Sequence, residues 1–304
     1  AAWYKAKEVM EEVPAHDVCI RAMTGASAGG MTAAIAASYL YQKGINNSVK
    51  SLLRKTWVND IDITRLLQSQ DLERKNVPFQ SLLDSTAIDD IANSVLDPQK
   101  LSKSGTSYKP LPYIHERLKL YLTLSNLRGL PYSFNVEGAD DFHYAMSSHA
   151  DYQYAEISKS TSVDDWANIR EAAVATGAFP VGLAARLIQR DTQTYIDRKN
   201  ADGRDVSKYL KLKKDCNSSY DIISVDGGML NNEPLELARV ALKEDSSLAK
   251  LNKTLTSNTD KTSLLKQAAD KTHSAIVMID PFPNLREDDD NAEFGDTALK
   301  RIVA

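Results

Sequence analysis

The sequence predicts an α/β fold with a largely parallel sheet, and three observations predict it. An apolar run, HDVCIRAM, enters a glycine-rich turn, TGASAGG (residues 24–30), and continues as a run of small residues suited to a helix. A second apolar run, DIISV, ends in Asp226-Gly227-Gly228 and is followed by another helical pattern, NNEPLELARVALK. Between them DDWANIREAAVATGAFP has helical spacing, and strands that alternate with helices favour a sheet covered by helices. At 304 residues the chain can bury a large core without disulfides or metals. One domain over residues 1–304 is expected.

Each element follows from local chemistry. In residues 1–13, Trp3, Ala6, Met10 and Val13 recur at three- and four-residue spacing, which predicts an amphipathic helix. The strand at HDVCIRAM and its turn lead into MTAAIAASYLYQKG, a helix closed by Gly44. No glycine occurs between Gly44 and Gly105, and both SLLDSTAIDDIANSVLD and YIHERLKLYLTL read with a helical period. Residues 45–125 are therefore expected to form a helical insertion. LPYSFNV and YQYAEIS are short β-like runs. Asp164 stands near the start of the next helix, which Gly177 and Pro180 end. A polar loop around 198–218 precedes the strand that ends at Asp226, and HSAIVMIDPFP is a last strand candidate.

Composition excludes several classes of function. Hydrophobic residues make up 42% and charged residues 26%, with no apolar run long enough to span a membrane. That balance favours a soluble chain, cytoplasmic or peripheral at a membrane surface. The formal charge of −4, with basic residues scattered, lacks the footprint of a nucleic-acid binder. Cys19 and Cys216 form no zinc or disulfide pattern, and no residue cluster suggests a metal or cofactor.

TGASAGG admits two readings. A dinucleotide-binding turn would need a further glycine two places after Gly29, so that helix and strand pack closely beside a pyrophosphate; Met31 stands there. No strand ending in an acidic ribose ligand follows some twenty residues on. The alternative is a nucleophile elbow, since Gly25-Ala26-Ser27-Ala28-Gly29 fits G-x-S-x-G. A tight strand-to-helix turn needs small residues two before and two after the serine, and it sets the serine at a helix N-terminus, where backbone N–H groups stabilise an oxyanion. By itself the motif also describes a plain tight turn. Asp226-Gly227 commonly marks a turn too, but here it would put a carboxylate at the C-terminal edge of the sheet, where Ser27 also emerges.

Together, Ser27 in GASAGG, Asp226 in DGG and the intervening ATGAFPVGLAAR (residues 175–186) resemble the patatin-like phospholipases, over roughly residues 15–240. The resemblance implies a three-layer α/β/α fold and a lipid acyl hydrolase that needs no cofactor. Ser27 would be the nucleophile and Asp226 the general base, with Gly25, Ala28, Gly29, Gly227 and Gly228 shaping the elbow and oxyanion site. That role requires a partly desolvated carboxylate, because an exposed aspartate is a feeble base at neutral pH. Phe179, Val181, Leu183 and Leu187 are candidates to line an acyl groove, with Arg186 and Arg190 placed to meet a lipid phosphate. The partner expected is a lipid or acyl ester, met in solution or at a membrane surface. The family's glycine-rich oxyanion segment has no match in residues 1–24, so the first strand and its loop are expected before Ala1. Two alternatives stay open: a Ser-His-Asp esterase or thioesterase, and a patatin-type domain that binds lipid or protein without turnover.

Overall fold

The computed structural model describes residues 18–41, 49–70, 73, 80–105, 111–135, 143–191, 194–195, 219–245 and 274–280. The expected helix at 1–13, the closure at Gly44 and the polar loop around 198–218 lie outside these residues. The chain divides into two compact units, Ala1–Glu244 and Asp245–Ala304. In the second unit, residues 274–280 form no strand, and Val277 and Ile279 are exposed. An apolar run becomes a strand only where another edge satisfies its backbone groups.

In the first unit a strand, β1 (Ile20–Gly25), turns at Ala26 into α1 (Ser27–Leu40). There follow α2 (Val49–Arg54), a π-type turn (Lys55–Asp60), the short α3 (Ile63–Leu66), α4 (Thr86–Val95) and α5 (Pro98–Gly105). Two long strands come next, β2 (Ile114–Asn135) and β3 (His143–Ile157), then α6 (Val163–Thr176). The chain continues through β4 (Arg186–Ile188), β5 (Ile222–Asp226), a 3-10 turn (Gly227–Met229) and α7 (Leu235–Asp245). Ser162 starts α6 as half of a capping box: its Oγ accepts the Asp165 N–H at 3.0 Å, while Asp165 Oδ2 accepts the Ser162 N–H at 3.0 Å.

The helical insertion is shorter than the sequence suggests, because YIHERLKLYLTL is strand. Leu118, Leu120, Leu122 and Leu124 alternate along β2 and are all buried, a period of two rather than 3.6. Lys119, Tyr121 and Thr123 between them are buried as well, so both faces of β2 are covered and the strand lacks an outward polar face. One face packs its leucines against Ala34 and Ala37 of α1 and Trp166 and Ile169 of α6; the other packs Tyr121 against Leu237 and Ala241 of α7. Helices therefore lie on both faces of the sheet, as the three-layer expectation requires.

Strand order is β1-β2-β5-β4, with β3 on the other edge of β2. The expected parallel pairing joins β1 to β2; the ladders of β2 with β3, β2 with β5 and β4 with β5 are antiparallel.

Candidate active site

β2 is long enough to carry two strands end to end on one edge, and this creates the site. β1 runs parallel to β2 until Gly25 pairs with Leu122, and β5 runs antiparallel until Asp226 pairs with Leu124. Their C-terminal ends therefore approach each other head-on, two residues or about 7 Å apart along β2. Sequence reasoning placed Ser27 and Asp226 along a common sheet edge of like-directed strands. They meet because two oppositely directed strands end at the same place on a third.

Ser27 Oγ donates a 2.6 Å hydrogen bond to Asp226 Oδ2 across 199 residues of sequence. Asp226 Oδ1 accepts the Gly228 N–H at 2.7 Å, and the Asp226 N–H donates to Ala178 O at 2.9 Å. The carboxylate is thus fixed at one oxygen by backbone, with the other turned to the serine. Asp226 is 4% exposed, whereas Ser27 remains partly accessible.

Ser27 sits at φ 52°, in the left-handed region that costs an L-residue roughly 1–3 kcal/mol. That strain is what the elbow stores. Its N–H donates to Thr176 Oγ1 at 3.0 Å. Ala28 and Gly29 follow in the first helical turn, both exposed, where N–H groups have no intrahelical carbonyl to reach.

The glycines divide in a way the motif does not show. A Cβ on Gly25 would come within 2.6 Å of Gly29 O and 2.7 Å of Gly30 Cα; one on Gly30 would come within 2.7 Å of Thr176 Cγ2. One on Gly227 would fall 2.0 Å from Thr123 O, and one on Gly228 2.8 Å from Asn232 Oδ1. At Gly29 a Cβ meets nothing within 4 Å, so the second motif glycine is not the residue that the elbow crowds; Gly30 is. Gly25→Ala, Gly30→Ala and Gly227→Ala are each expected to destabilise by about 1–3 kcal/mol. Gly29→Ala should melt at the same temperature as the parent or higher, since alanine gains about 0.5–1 kcal/mol in a helix. Thermal melts of the four proteins check this.

Thr176, the last residue of α6, is the site residue that sequence reasoning missed. It is fully buried, accepts the Ser27 N–H and packs its methyl group over Gly30. Its only sequence signal is a threonine within an otherwise apolar stretch, AAVATGAFP. Thr176→Val keeps the methyl and deletes the acceptor, leaving a buried N–H unpaired at a cost of about 1–3 kcal/mol. Its melting temperature should fall by several degrees and any Ser27-dependent rate by about tenfold, with Thr176→Ser restoring both.

The other candidates scatter. Phe179, Val181 and Leu187 are exposed, 62%, 70% and 65% respectively, so they are not core. Val181 has φ 69°, a strained value for a β-branched residue, and its carbonyl accepts the Leu82 N–H. Leu183 packs with Ile88, Ala92 and Val174. Arg186 is committed to Asp89, Nη1 to Oδ1 at 2.6 Å, and Arg190 is 5% exposed and donates to Tyr152 O, so the headgroup role expected of them is not what their contacts serve. A guanidinium removed from water needs such acceptors.

For a triad, an imidazole would have to stand between Ser27 and Asp226, and the direct 2.6 Å bond leaves no space for one. His149 Nδ1 pairs with Asn126 O, and His115 Nδ1 contacts the Arg117 backbone. His16, His273 and the side chain of His143 lie outside the described residues.

Comparison with known proteins adds two findings. The family model described as patatin-like phospholipase matches residues 8–239. A relative, "Uncharacterized protein y4iI" of Sinorhizobium fredii (strain NBRC 101917 / NGR234), is 27% identical over 341 aligned positions, covering 93% of this chain and 45% of the relative. The chain thus spans less than half the length of that relative.

Proposed function

This chain belongs to the patatin-like phospholipase family, and on that premise we propose that it is a lipid acyl hydrolase of the phospholipase A or lysophospholipase type, cleaving carboxylic esters through an acyl-enzyme on Ser27. The observation that carries the reading is the direct bond from Ser27 Oγ to a buried, backbone-anchored carboxylate, made by a serine held at positive φ.

In this mechanism Ser27 Oγ attacks the ester carbonyl while its proton passes to Asp226 Oδ2. The tetrahedral oxyanion forms beside the first turn of α1, with Ala28 N–H as a donor and the helix dipole aligned to stabilise it. Collapse breaks the ester C–O bond, and the leaving alcohol takes the proton back from Asp226. A water molecule then gives a proton to Asp226 and attacks the acyl carbon. Ser27 recovers that proton as the carboxylic acid departs. Gly228 N–H holds Asp226 Oδ1 throughout, keeping Oδ2 aimed at the serine.

An acyl substrate is supported by exposed apolar residues that neighbour the dyad's backbone partners in the chain. Phe179 follows Ala178, whose carbonyl holds Asp226 N–H, and Met229 and Leu230 follow Gly228; all three are exposed apolar residues. Among the described residues no helix is long and apolar enough to cross a membrane. The test is hydrolysis of p-nitrophenyl acyl esters and of phospholipid vesicles by the full-length protein, with covalent labelling of Ser27 by a fluorophosphonate. Turnover together with one-to-one labelling at Ser27 is expected. Absence of both, in a protein that melts cooperatively, would overturn the reading.

A further inference from the structure

The chain that follows the dyad aspartate folds straight back over it. Gly227 O accepts the Leu230 N–H at 3.4 Å and the Asn231 N–H at 3.0 Å, which returns Asn232 across the face of Gly228. Beyond it, α7 is fixed by Leu237 and Ala241, packed against Tyr121 of β2. Asn232 is thus held from both sides, by the turn behind it and the helix ahead. From the point where a Cβ of Gly228 would stand, Asn232 Oδ1 lies at 2.8 Å, Asp226 Oδ1 at 3.1 Å and Ser27 Cβ at 3.6 Å. Three side chains surround one bare Cα, and the carboxamide stands beside both members of the dyad. Only glycine leaves room for it there.

Nothing in the described fold occupies that amide. Asn232 is exposed, and its side chain has no hydrogen-bond partner among the described residues. The reaction determines which part of a substrate would meet it. Asp226 takes the Ser27 proton and returns it to the departing alcohol, so the leaving oxygen comes within hydrogen-bond reach of Asp226 and hence to the Asn232 side of the serine. The atom that Asn232 turns toward this side is Oδ1, an acceptor. An acceptor does not stabilise an oxyanion, and it gains nothing from a second ester or a phosphodiester oxygen, which also only accept. A hydroxyl group is what it can bind.

We infer that Asn232 is a specificity-determining residue that reads the leaving group, accepting a hydrogen bond from a free hydroxyl on the carbon next to the ester oxygen. Lysophospholipids and monoacylglycerols carry that hydroxyl; diacyl lipids carry a second ester in its place. The inference rests on the acyl-hydrolase reading above and chooses within it, for monoacyl over diacyl substrates.

Two esters that differ by one oxygen test it: 2-hydroxypropyl decanoate, with the hydroxyl, and propyl decanoate, without. The readout is the ratio of their kcat/KM values in full-length protein. One hydrogen bond to a neutral acceptor should set that ratio at about fivefold, and Asn232→Ala should bring it below about twofold. A parent ratio below about twofold, or an unchanged ratio in Asn232→Ala, overturns the inference and leaves the hydrolase reading standing. Monodecanoylglycerol and decanoyl lysophosphatidylcholine distinguish the two sources of the hydroxyl. The larger advantage over propyl decanoate in the parent identifies the source, and Asn232→Ala should reduce it; loss from neither overturns the inference. Calorimetry on the Ser27→Ala protein reads the same contact without turnover. That protein should bind 2-hydroxypropyl decyl ether about fivefold more tightly than propyl decyl ether, and adding Asn232→Ala should abolish the difference. Equal affinities for the two ethers, or a difference that survives Asn232→Ala, overturn the inference whether or not any ester is cleaved.

Discussion

Ser27→Ala is expected to reduce kcat/KM on a medium-chain p-nitrophenyl ester at least about 10⁴-fold, to the rate of uncatalysed hydrolysis, with no fluorophosphonate labelling. Removing a catalytic serine costs this much because nothing else in the site can form the acyl-enzyme, and 10⁴-fold corresponds to about 5 kcal/mol of transition-state stabilisation. Stability should move far less. The substitution removes one hydrogen bond to Asp226 Oδ2, worth about 1.5–3 kcal/mol for a charged acceptor, and water reaches the partly exposed serine position in its place. Alanine inherits the φ of 52° and its strain. Glycine does not, so Ser27→Gly should be equally inactive yet melt above Ser27→Ala by the equivalent of about 1 kcal/mol. If the glycine protein melts lower than the alanine protein, Ser27 is not held in a strained elbow. If Ser27→Ala retains more than a hundredth of the activity, another residue is the nucleophile.

Asp226→Asn should lower kcat about 10³-fold while changing KM little. Asparagine is nearly isosteric, and its carbonyl can still accept the Gly228 N–H that Asp226 Oδ1 accepts at 2.7 Å. What faces Ser27 is then an amide NH₂, which takes no proton from the hydroxyl, and general-base catalysis contributes about 10²–10⁴-fold. The lost rate should therefore appear in the chemical step and not in substrate binding. Burst kinetics on p-nitrophenyl esters separate the two half-reactions: both acylation and deacylation should slow, because the same carboxylate serves each. Full activity in Asp226→Asn would mean that some other group takes the serine proton and that the 2.6 Å bond is structural. A loss confined to KM would mean that Asp226 binds substrate.

A good part of the candidate site was legible in the sequence because its geometry is locally coded. An elbow needs small residues at fixed offsets from the nucleophile, and GASAGG supplies them; a carboxylate at a strand end followed by two glycines is equally readable in DGG. The choice between Gly29 and Gly30 was not. Which glycine is crowded depends on Thr176, about 150 residues away in the chain, and no offset within the motif records it. Nor does the sequence show that Arg186, a candidate to meet a lipid phosphate, pairs with Asp89 on α4. β2 is a different kind of case: Leu118, Leu120, Leu122 and Leu124 alternate with Lys119, Tyr121 and Thr123, so the period of two is present in the sequence, and only the pairing of β2 on both edges and its burial on both faces decide it against a helix.

The sequence by itself determined the α/β alternation and the two candidate groups: a serine in a turn too tight for side chains, and an aspartate at the end of an apolar strand. Only the tertiary structure decided that the two groups touch. Their contact depends on the direction and register of β1 and β5 along one edge of β2, where Gly25 stops at Leu122 and Asp226 stops at Leu124. Register is a property of strand pairs far apart in the chain, fixed by which residues the two packed faces bury, so no window of the sequence contains it.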